Sequence, residues 1–524
     1  GLLLRLLYLV ELPSYPAFHQ PQVDAWHYHQ MAQRMAGGDW LLDGTPARMS
    51  PGYSYFLAAV YRVLGSGPLL VRLVQMALGL ASVALLFGAA RVLVGPRWAL
   101  LPAAVAALYG PFVYYEGHLL AASLGVFLHA LLLFVALRWL PRDDVPKWRW
   151  LVLGLVWGAC VVVRPNALLL LLALGVGLFE RGRRPGCWAW ARNLVLVGLG
   201  GALAIAPLTV RNAVATGEVV AVTSHGGINF YVGNGPGAIG TWTIPDDVPG
   251  AHSPTAQFEA FHVAAEEALG RQLAQRDADR YWYGRTVDAV LDDPVRWLGL
   301  MARKLHLFWN GRELHNIYDY EFWRDIGLVL GAPLPQFLWV APFALVGTCW
   351  LLLRSRQERF AALFALLSCA AVVLVFVTDR YRLPSVTALL LVGTVVAREL
   401  LQAVRRRDKR TLYALVPALV VAAAIAVPVQ VNKRYHEKYH KLGTAWLKLN
   451  QLERAHWAYE RSLEAKDDFL PTHHKLAELH DRAGLKSEAL ARWREVELLA
   501  RQQGDATLRE TARGRIAELE RAGR

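Results

Sequence analysis

The residues best suited to chemistry stand in four short polar stretches, each at the edge of a long apolar run. The first, residues 20–40, carries a lone carboxylate, Asp24, followed by His27, Tyr28 and His29. A positioned carboxylate takes a proton from a hydroxyl, and one such base suffices for a single displacement. The second is Tyr114-Tyr115-Glu116-Gly117-His118, with a second carboxylate. The third opens with Arg211-Asn212 and continues through His225-Gly226-Gly227-Ile228-Asn229 to Gly233-Asn234-Gly235. Its glycines allow tight turns that bring backbone N–H groups to an anion or a sugar. The fourth, Asp379-Arg380-Tyr381-Arg382-Leu383-Pro384, sets two guanidinium groups about a tyrosine. Such forks bind phosphate bidentately. Lys304 and His306, in the helix-like stretch 294–310, are further basic candidates.

Each stretch also has a plainer reading. Residues 24–36 place Ala25, Tyr28, Met31, Ala32 and Met35 on one face of an amphipathic helix lying in the interface, with Asp24 at or near its N-cap. The tyrosines before Glu116 suit an interfacial aromatic belt, and the glycines suit turn building. The arginine pair suits a lipid-headgroup anchor. No Lys-Ser/Thr follows the glycines, so they are not a nucleotide-binding loop.

What positions these stretches is a membrane bundle. Hydrophobic residues make up 55% of the 524 and mean hydropathy is +0.27, with apolar runs of membrane-spanning length recurring. Spans are expected near 68–94, 98–114, 119–139, 191–210, 336–353, 360–377, 383–403 and 412–431. Residues 149–163 and 166–180 read as two short spans broken at Arg164-Pro165-Asn166, and 1–12 as the end of another, about eleven in all. Basic residues crowd alternate loops: Arg142, Lys147, Arg149; Arg181, Arg183, Arg184; Arg354, Arg356, Arg359; and Arg405 to Arg410. These are expected to be cytoplasmic, so that Asp24, the long loop from 212 and the C-terminal segment face outward. Arg164, Arg380 and Arg382 lie on the outer side against this bias.

The net charge of +14 is mostly this topology signal, and the segment from Asn432 is nearly balanced, 19 Lys+Arg against 15 Asp+Glu. Nucleic acid is therefore not an expected partner. The four cysteines (Cys160, Cys187, Cys349, Cys369) fall in spans or on the cytoplasmic side, which gives the outward parts neither disulfides nor a cysteine metal site. From Tyr439 a 34-residue period sets in: Leu442 with Leu476, Ala455 with Ala489, Tyr459 with Trp493, and turns at Asn450 and Gly484. It resembles tetratricopeptide repeats, two with a capping helix at about 505–522, and implies a docking or dimerisation module. The expected organisation is an N-terminal transmembrane bundle (1–211, with an outer catalytic loop at 13–67), a large outer loop region (212–335), C-terminal transmembrane helices (336–431) and a repeat domain (432–524).

Taken in order, these motifs resemble the polytopic C-type glycosyltransferases, in particular bacterial relatives of the protein O-mannosyltransferases and aminoarabinose lipid A transferases. The matching residues are Val23-Asp24 with Tyr28 and Gly38-Asp39-Trp40, Ser50-Pro51-Gly52-Tyr53, Arg164-Pro165, Pro207 with Arg211-Asn212, Gly226-Gly227-Asn229-Phe230 with Gly233-Asn234, and Arg380 to Pro384. The resemblance implies an all-α polytopic bundle in the inner membrane of a bacterium. It implies a polyprenyl-phosphate sugar as donor, the undecaprenyl lipid in bacteria, and an acceptor hydroxyl at the periplasmic face. It puts the general base on Asp24. Where well-known members carry an Asp-Glu pair this chain has Asp24-Ala25, which shifts a second carboxylate's role to Glu116. Arg164, Arg380, Arg382 and Lys304 are then the donor-phosphate residues, and His27, Tyr28, Tyr53, His118, Arg211, His225, Asn229 and Asn234 the substrate-binding ones. A divalent cation, Mg or Mn, at Asp24 and Glu116 with His27 or His118 stays open, as does a non-enzymatic scaffold that recruits protein partners through its repeats. A transporter is disfavoured, because the polar residues gather at one membrane face.

Overall fold

Proline and glycine decide where the apolar runs break. The computed structural model describes residues 1–42, 49, 51–180, 187–251, 257–428 and 434–522. Ser50, the basic Arg181, Arg183 and Arg184, and the domain boundary at Asn432 lie outside them. All regular structure among the described residues is helical. Among the described residues, five helices are long and apolar enough to cross a membrane: Pro68–Leu108, Ala122–Trp139, Trp188–Thr216, Asp379–Arg406 and Lys409–Ala426. Pro165–Phe179 and Phe337–Leu353 are shorter apolar helices. The helix Trp188–Thr216 turns Val195, Leu199, Leu203, Val210 and Val214 outward, a continuous apolar stripe of the kind that faces lipid.

The 41 residues of Pro68–Leu108 are about twice what a bilayer needs. They break at Gly95, whose φ of +80° only glycine adopts easily, just before Pro96. The span expected at 98–114 also breaks. Tyr109 is extended and a separate short helix, Gly110–Glu116, begins after it. Pro111 has no N–H to give the carbonyl of Ala107, and the Arg5 guanidinium takes that carbonyl at 3.0 Å.

Small residues bring the helices that carry the polar stretches close together, as membrane packing favours. A Cβ at Gly158 of Lys147–Val163 would lie 2.7 Å from the Gly201 carbonyl oxygen, and one at Gly347 2.6 Å from that of Val392. Helix Pro51–Leu64 rests on Lys147–Val163 through Gly52, where a Cβ would lie 2.9 Å from the Val162 carbonyl. Asp24–Ala36 forms as the spacing predicts, burying Ala25, Tyr28, Ala32 and Met35 and packing on Pro51–Leu64.

The chain divides into two compact units, residues 1–12 with 20–429, and residues 13–19 with 430–524. The second realises the 34-residue period as helix pairs, Tyr435–Lys448 with Leu452–Ala465 and Leu470–Arg482 with Lys486–Gln503, followed by Ala506–Ala522. Asn450 and Gly484, one period apart, both take left-handed φ values of +57° and +72°. Ala455 and Ala489 are fully buried, and Tyr459 and Trp493 fill the space beside them.

Candidate active site

Two further prolines build the centre of the first unit. Pro165 forces the residue before it out of the helical region, so Lys147–Val163 ends at Arg164 in an extended conformation (φ −144°, ψ 96°). Pro384, five residues into Asp379–Arg406, leaves the Arg380 carbonyl without its helical partner, and Arg164 Nη2 approaches that carbonyl at 3.4 Å. The Arg164 guanidinium lies over the Tyr381 ring at 4.4 Å, and that of Arg380 over the same ring at 5.1 Å. Arg380 Nη1 meets Asp24 Oδ2 at 2.5 Å, with Asp24 one-fifth exposed.

Asp24 is therefore not a cap. The N-cap residue is Val23, with no side-chain capping bond, and Asp24 is the first helical residue, its carboxylate turned to Arg380. Val23 holds a φ of +49°, a conformation a β-branched residue adopts only under strain. Tyr28, one turn on, is buried beside the same group. Burial and then Asp24 drive its hydroxyl above the ordinary range, against the pull of Arg164 and Arg380. Among the described residues Arg164 has no carboxylate partner, and the Nε atoms of both Arg164 and Arg380 are buried without a hydrogen-bond partner. The arrangement is one carboxylate, a guanidinium paired with it, a second guanidinium with no carboxylate among the described residues, and a tyrosine ring close to both cations.

Around this centre runs an aromatic wall. Tyr53 meets Tyr28 edge-on at 4.9 Å and donates to Gln75 Oε1 at 2.7 Å. Gln75 Nε2 donates to the carbonyls of Glu116 and His118, and Arg72 Nε to that of Gly117. The His118 ring lies 4.3 Å from that of Tyr318, whose hydroxyl donates to the Gln22 carbonyl just before Asp24. Burial, with Arg72 nearby, pushes His118 down to about 3, so it is neutral at ordinary pH. His27 lies half-buried on the helix of Asp24, its ring edge-on to Trp26 at 4.9 Å.

Several residues expected in the site are placed elsewhere. Glu116 Oε1 pairs with Arg5 Nη2 at 2.6 Å, both side chains almost fully buried. Burial pushes its carboxyl up to about 7 although Arg5 opposes this. Arg382 turns away from Tyr381: its guanidinium donates to the carbonyls of Phe308, Asn310 and Arg312 and to Glu313 Oε2, and covers the Phe337 ring at 3.7 Å. Those bonds tie the end of Pro294–Trp309 to Asp379–Arg406. Lys304 is fully buried, its Nζ donating to Asn234 Oδ1 at 2.8 Å and the Val375 carbonyl at 2.7 Å, and burial pushes its amine down to about 7. Asn234 also gives Nδ2 to the Phe230 and Leu374 carbonyls. Arg211 holds the Leu41 carbonyl at 2.5 Å, fastening the segment after Asp24–Ala36.

The glycine-rich stretch is a helix, Gly226–Asn234, not a turn. Its N-terminal N–H of Gly227 is occupied by Asp279 Oδ1 at 2.6 Å, and a Cβ at Gly227 would run into the Asp279 carbonyl. Close packing accounts for these glycines. His225 stacks on Phe258 at 4.1 Å, and Asn229 is half-buried on the helix itself. The helix's Ile228 and Tyr231 pack with Phe376 in a core against which Tyr381 rests, so this region buttresses the Tyr381 ring.

Asp379 belongs to the site although sequence reasoning assigned it no role. It is 1% exposed, accepts the Arg380 N–H at 2.6 Å and the Tyr115 hydroxyl, and keeps Oδ2 unpartnered. Its position directly before Arg380 was the available signal. For a divalent cation the fit is poor. Asp24 and Glu116 are each tied to an arginine, and among the described residues no three His, Cys, Asp or Glu side chains come together as a ligand set.

The fold and this cluster of one carboxylate and two guanidinium groups can be set beside known proteins. Residues 48–210 match the family model of dolichyl-phosphate-mannose-protein mannosyltransferase. The matched segment includes Tyr53, Glu116 and Arg164 but neither Asp24 nor Arg380. No curated protein matches the chain. Among solved structures it is similar to the oligosaccharyltransferase AglB from Archaeoglobus fulgidus, in complex with an inhibitory peptide and a dolichol-phosphate. The identity is 14%, coverage is 82% of this chain and 54% of that one, and the TM-score is 0.40. It is also similar to ArnT from Cupriavidus metallidurans bound to undecaprenyl phosphate (13% identity, 80% and 86% coverage, TM-score 0.32). The chain spans about half the length of the archaeal enzymes it matches.

Proposed function

We propose that the protein moves a sugar from a polyprenyl-phosphate donor, the undecaprenyl lipid, to an acceptor hydroxyl at the periplasmic face of a bacterial inner membrane. The observation that carries this reading is the Arg164–Tyr381–Arg380 stack beside Asp24, with one guanidinium free of any carboxylate among the described residues. Transfer from a lipid phosphate leaves a phosphate dianion, and preorganised cations at that position stabilise the developing charge. Two adjacent guanidinium groups with unpartnered Nε–H donors suit the phosphate oxygens, while the Tyr381 ring, close to both, offsets part of their repulsion.

Asp24 removes the proton of the acceptor hydroxyl as the sugar's anomeric carbon leaves the phosphate, and the displacement inverts that carbon. Without donor, Arg380 holds Asp24 in an ion pair. A phosphate that draws Arg380 toward itself frees the carboxylate to meet the acceptor hydroxyl, so donor binding precedes activation of the acceptor. Tyr28 offers its hydroxyl for the sugar, and Tyr53, fully buried behind it and bonded to Gln75, holds the Tyr28 ring in place. Arg382, Lys304, Arg211 and Asn234 act in this reading by holding the helices, not by touching substrate.

The test is binding of undecaprenyl phosphate to the purified protein in nanodiscs. Arg164→Ala and Arg380→Ala should each weaken it by about tenfold or more, the loss of one charge-assisted contact. Wild-type affinity in both variants would remove the phosphate clamp.

A further inference from the structure

Helix Pro294–Trp309 is apolar on both sides, and its one lysine is on the buried one. Lys304 lies there with Leu300, Leu307 and Phe308. At about 100° per residue, the opposite arc holds Val295, Leu298, Gly299, Ala302, Leu305 and His306. All six are exposed, Val295 at 77%, Leu298 at 61% and Leu305 at 49%. None of them carries a fixed charge, and Arg303 stands only at the edge of the arc. A helix facing water puts its polar residues on that side, and a helix apolar all round is covered. This arc therefore needs an occupant.

The helix's own hydrogen bonds say at what depth it stands. Lys304 Nζ donates to the Val375 carbonyl at 2.7 Å, just past the end of Arg356–Val373. Arg382, at the start of Asp379–Arg406, donates to the Phe308 and Asn310 carbonyls at 2.8 Å each. The Gly311 N–H donates to the Ala426 carbonyl at 2.8 Å, and Asn310 Nδ2 to that of Val427 at 3.3 Å. Asp379–Arg406 and Lys409–Ala426 are consecutive spans joined by a short turn, so Asp379 and Ala426 stand at the same membrane face. Lys409–Ala426 has 18 residues. That is about 27 Å of helix, so Ala426 reaches the edge of a hydrocarbon layer about 30 Å thick. The same span leaves Val416, Val420 and Val421 exposed, as lipid-facing residues are. Pro294–Trp309 is thus bonded at the bilayer's edge, beside a surface that lipid covers.

We propose that Pro294–Trp309 lies in the lipid leaflet at that face, with Val295, Leu298, Ala302 and Leu305 among the acyl chains. Arg303, at the edge of the arc, reaches the headgroup phosphates while its stem stays in the apolar layer. This part of the region 212–335 is then embedded in lipid instead of standing in water. The inference is independent of the sugar-transfer reading.

The experiment uses the full chain with Cys187→Ser and Cys349→Ser, in phosphatidylcholine–phosphatidylglycerol nanodiscs. Cys160 and Cys369 are buried and stay unlabelled. A nitroxide is attached at Leu298→Cys or at Leu305→Cys, both exposed positions whose exchange leaves the buried face of the helix in place. Leu203→Cys, on the lipid-facing stripe, and Glu510→Cys, exposed on the last helix of the repeat unit, are the references. Relaxation is measured with molecular oxygen, which concentrates in acyl chains, and with a neutral nickel chelate, which stays in water. The oxygen-to-nickel ratio at both arc positions should rise above that of Glu510→Cys toward that of Leu203→Cys. A ratio equal to that of Glu510→Cys puts the arc in water and overturns the proposal. Protection from both reagents means that a protein surface, a second copy included, covers the arc, and overturns it as well.

Discussion

Exchanging Asp24 for asparagine separates a catalytic carboxylate from one that merely pins Arg380. The side chain keeps its size and an oxygen able to accept from Arg380, but loses its charge and its ability to take a proton. The pair is 2.5 Å long and mostly enclosed, Arg380 at 9% and Asp24 at 20% exposure. Breaking a fully buried pair costs about 3–5 kcal/mol. The exposed fifth of Asp24 and the surviving acceptor reduce this, so the expected stability loss is about 1–3 kcal/mol. The helix should persist, because its N-cap position is Val23 and Asp24 makes no capping bond. Loss of a general base lowers the transfer rate by roughly 10²- to 10⁴-fold. Affinity for undecaprenyl phosphate should move the other way. Arg380, released from a charged partner, becomes freer to meet the phosphate, and binding tightens by up to about tenfold. Transfer is measured in proteoliposomes with labelled undecaprenyl-phosphate sugars, and binding in nanodiscs on the same preparations. A structural pin predicts that rate and affinity fall together. Transfer within about threefold of wild type, under 1 kcal/mol in the barrier, would refute the role of Asp24 as base.

Two further variants probe the surroundings of the site. Glu116→Gln leaves Arg5 buried without its counter-ion, so stability should fall by about 3 kcal/mol while transfer per folded molecule changes less than about tenfold; a loss of 10²-fold or more would give Glu116 a catalytic part. Asp279 is pushed up to about 6 by burial, against the N–H groups of Gly227 and Ile228. A carboxyl raised in the folded state contributes stability that is present below its unfolded pKa and lost as pH rises through about 6. Asp279→Asn keeps the acceptor and removes the titration. The variant should therefore lose less stability than wild type between pH 4 and pH 7, compared by thermal scans of the detergent-solubilised protein; identical pH profiles would contradict this.

Much of the helical scaffold was legible in the sequence because apolar period and proline position are local properties. The helix at Asp24–Ala36 and the turn residues Asn450 and Gly484 fall where the spacing put them. Arg380 and Arg382 were harder. Read as an extended motif they flank a tyrosine, but the helix begins at Asp379, and residues two apart on a helix point to different sides. Arg380 reaches Asp24 while Arg382 reaches Glu313. Glu116 illustrates a second limit. Its partner Arg5 is 111 residues away and belongs to the first apolar run, so nothing in the local pattern announces the pair. The glycines at Gly226-Gly227 suggested a loop because glycine is usually read as freedom of the backbone. Here it makes room for the carbonyl of Asp279 instead.

The most direct test of the account is a structure of the protein with undecaprenyl phosphate bound in a lipid nanodisc. The phosphate should lie between the guanidinium groups of Arg164 and Arg380, beside Tyr381, with the Asp24–Arg380 contact opened. A phosphate bound away from both arginines, with that contact intact, would contradict it.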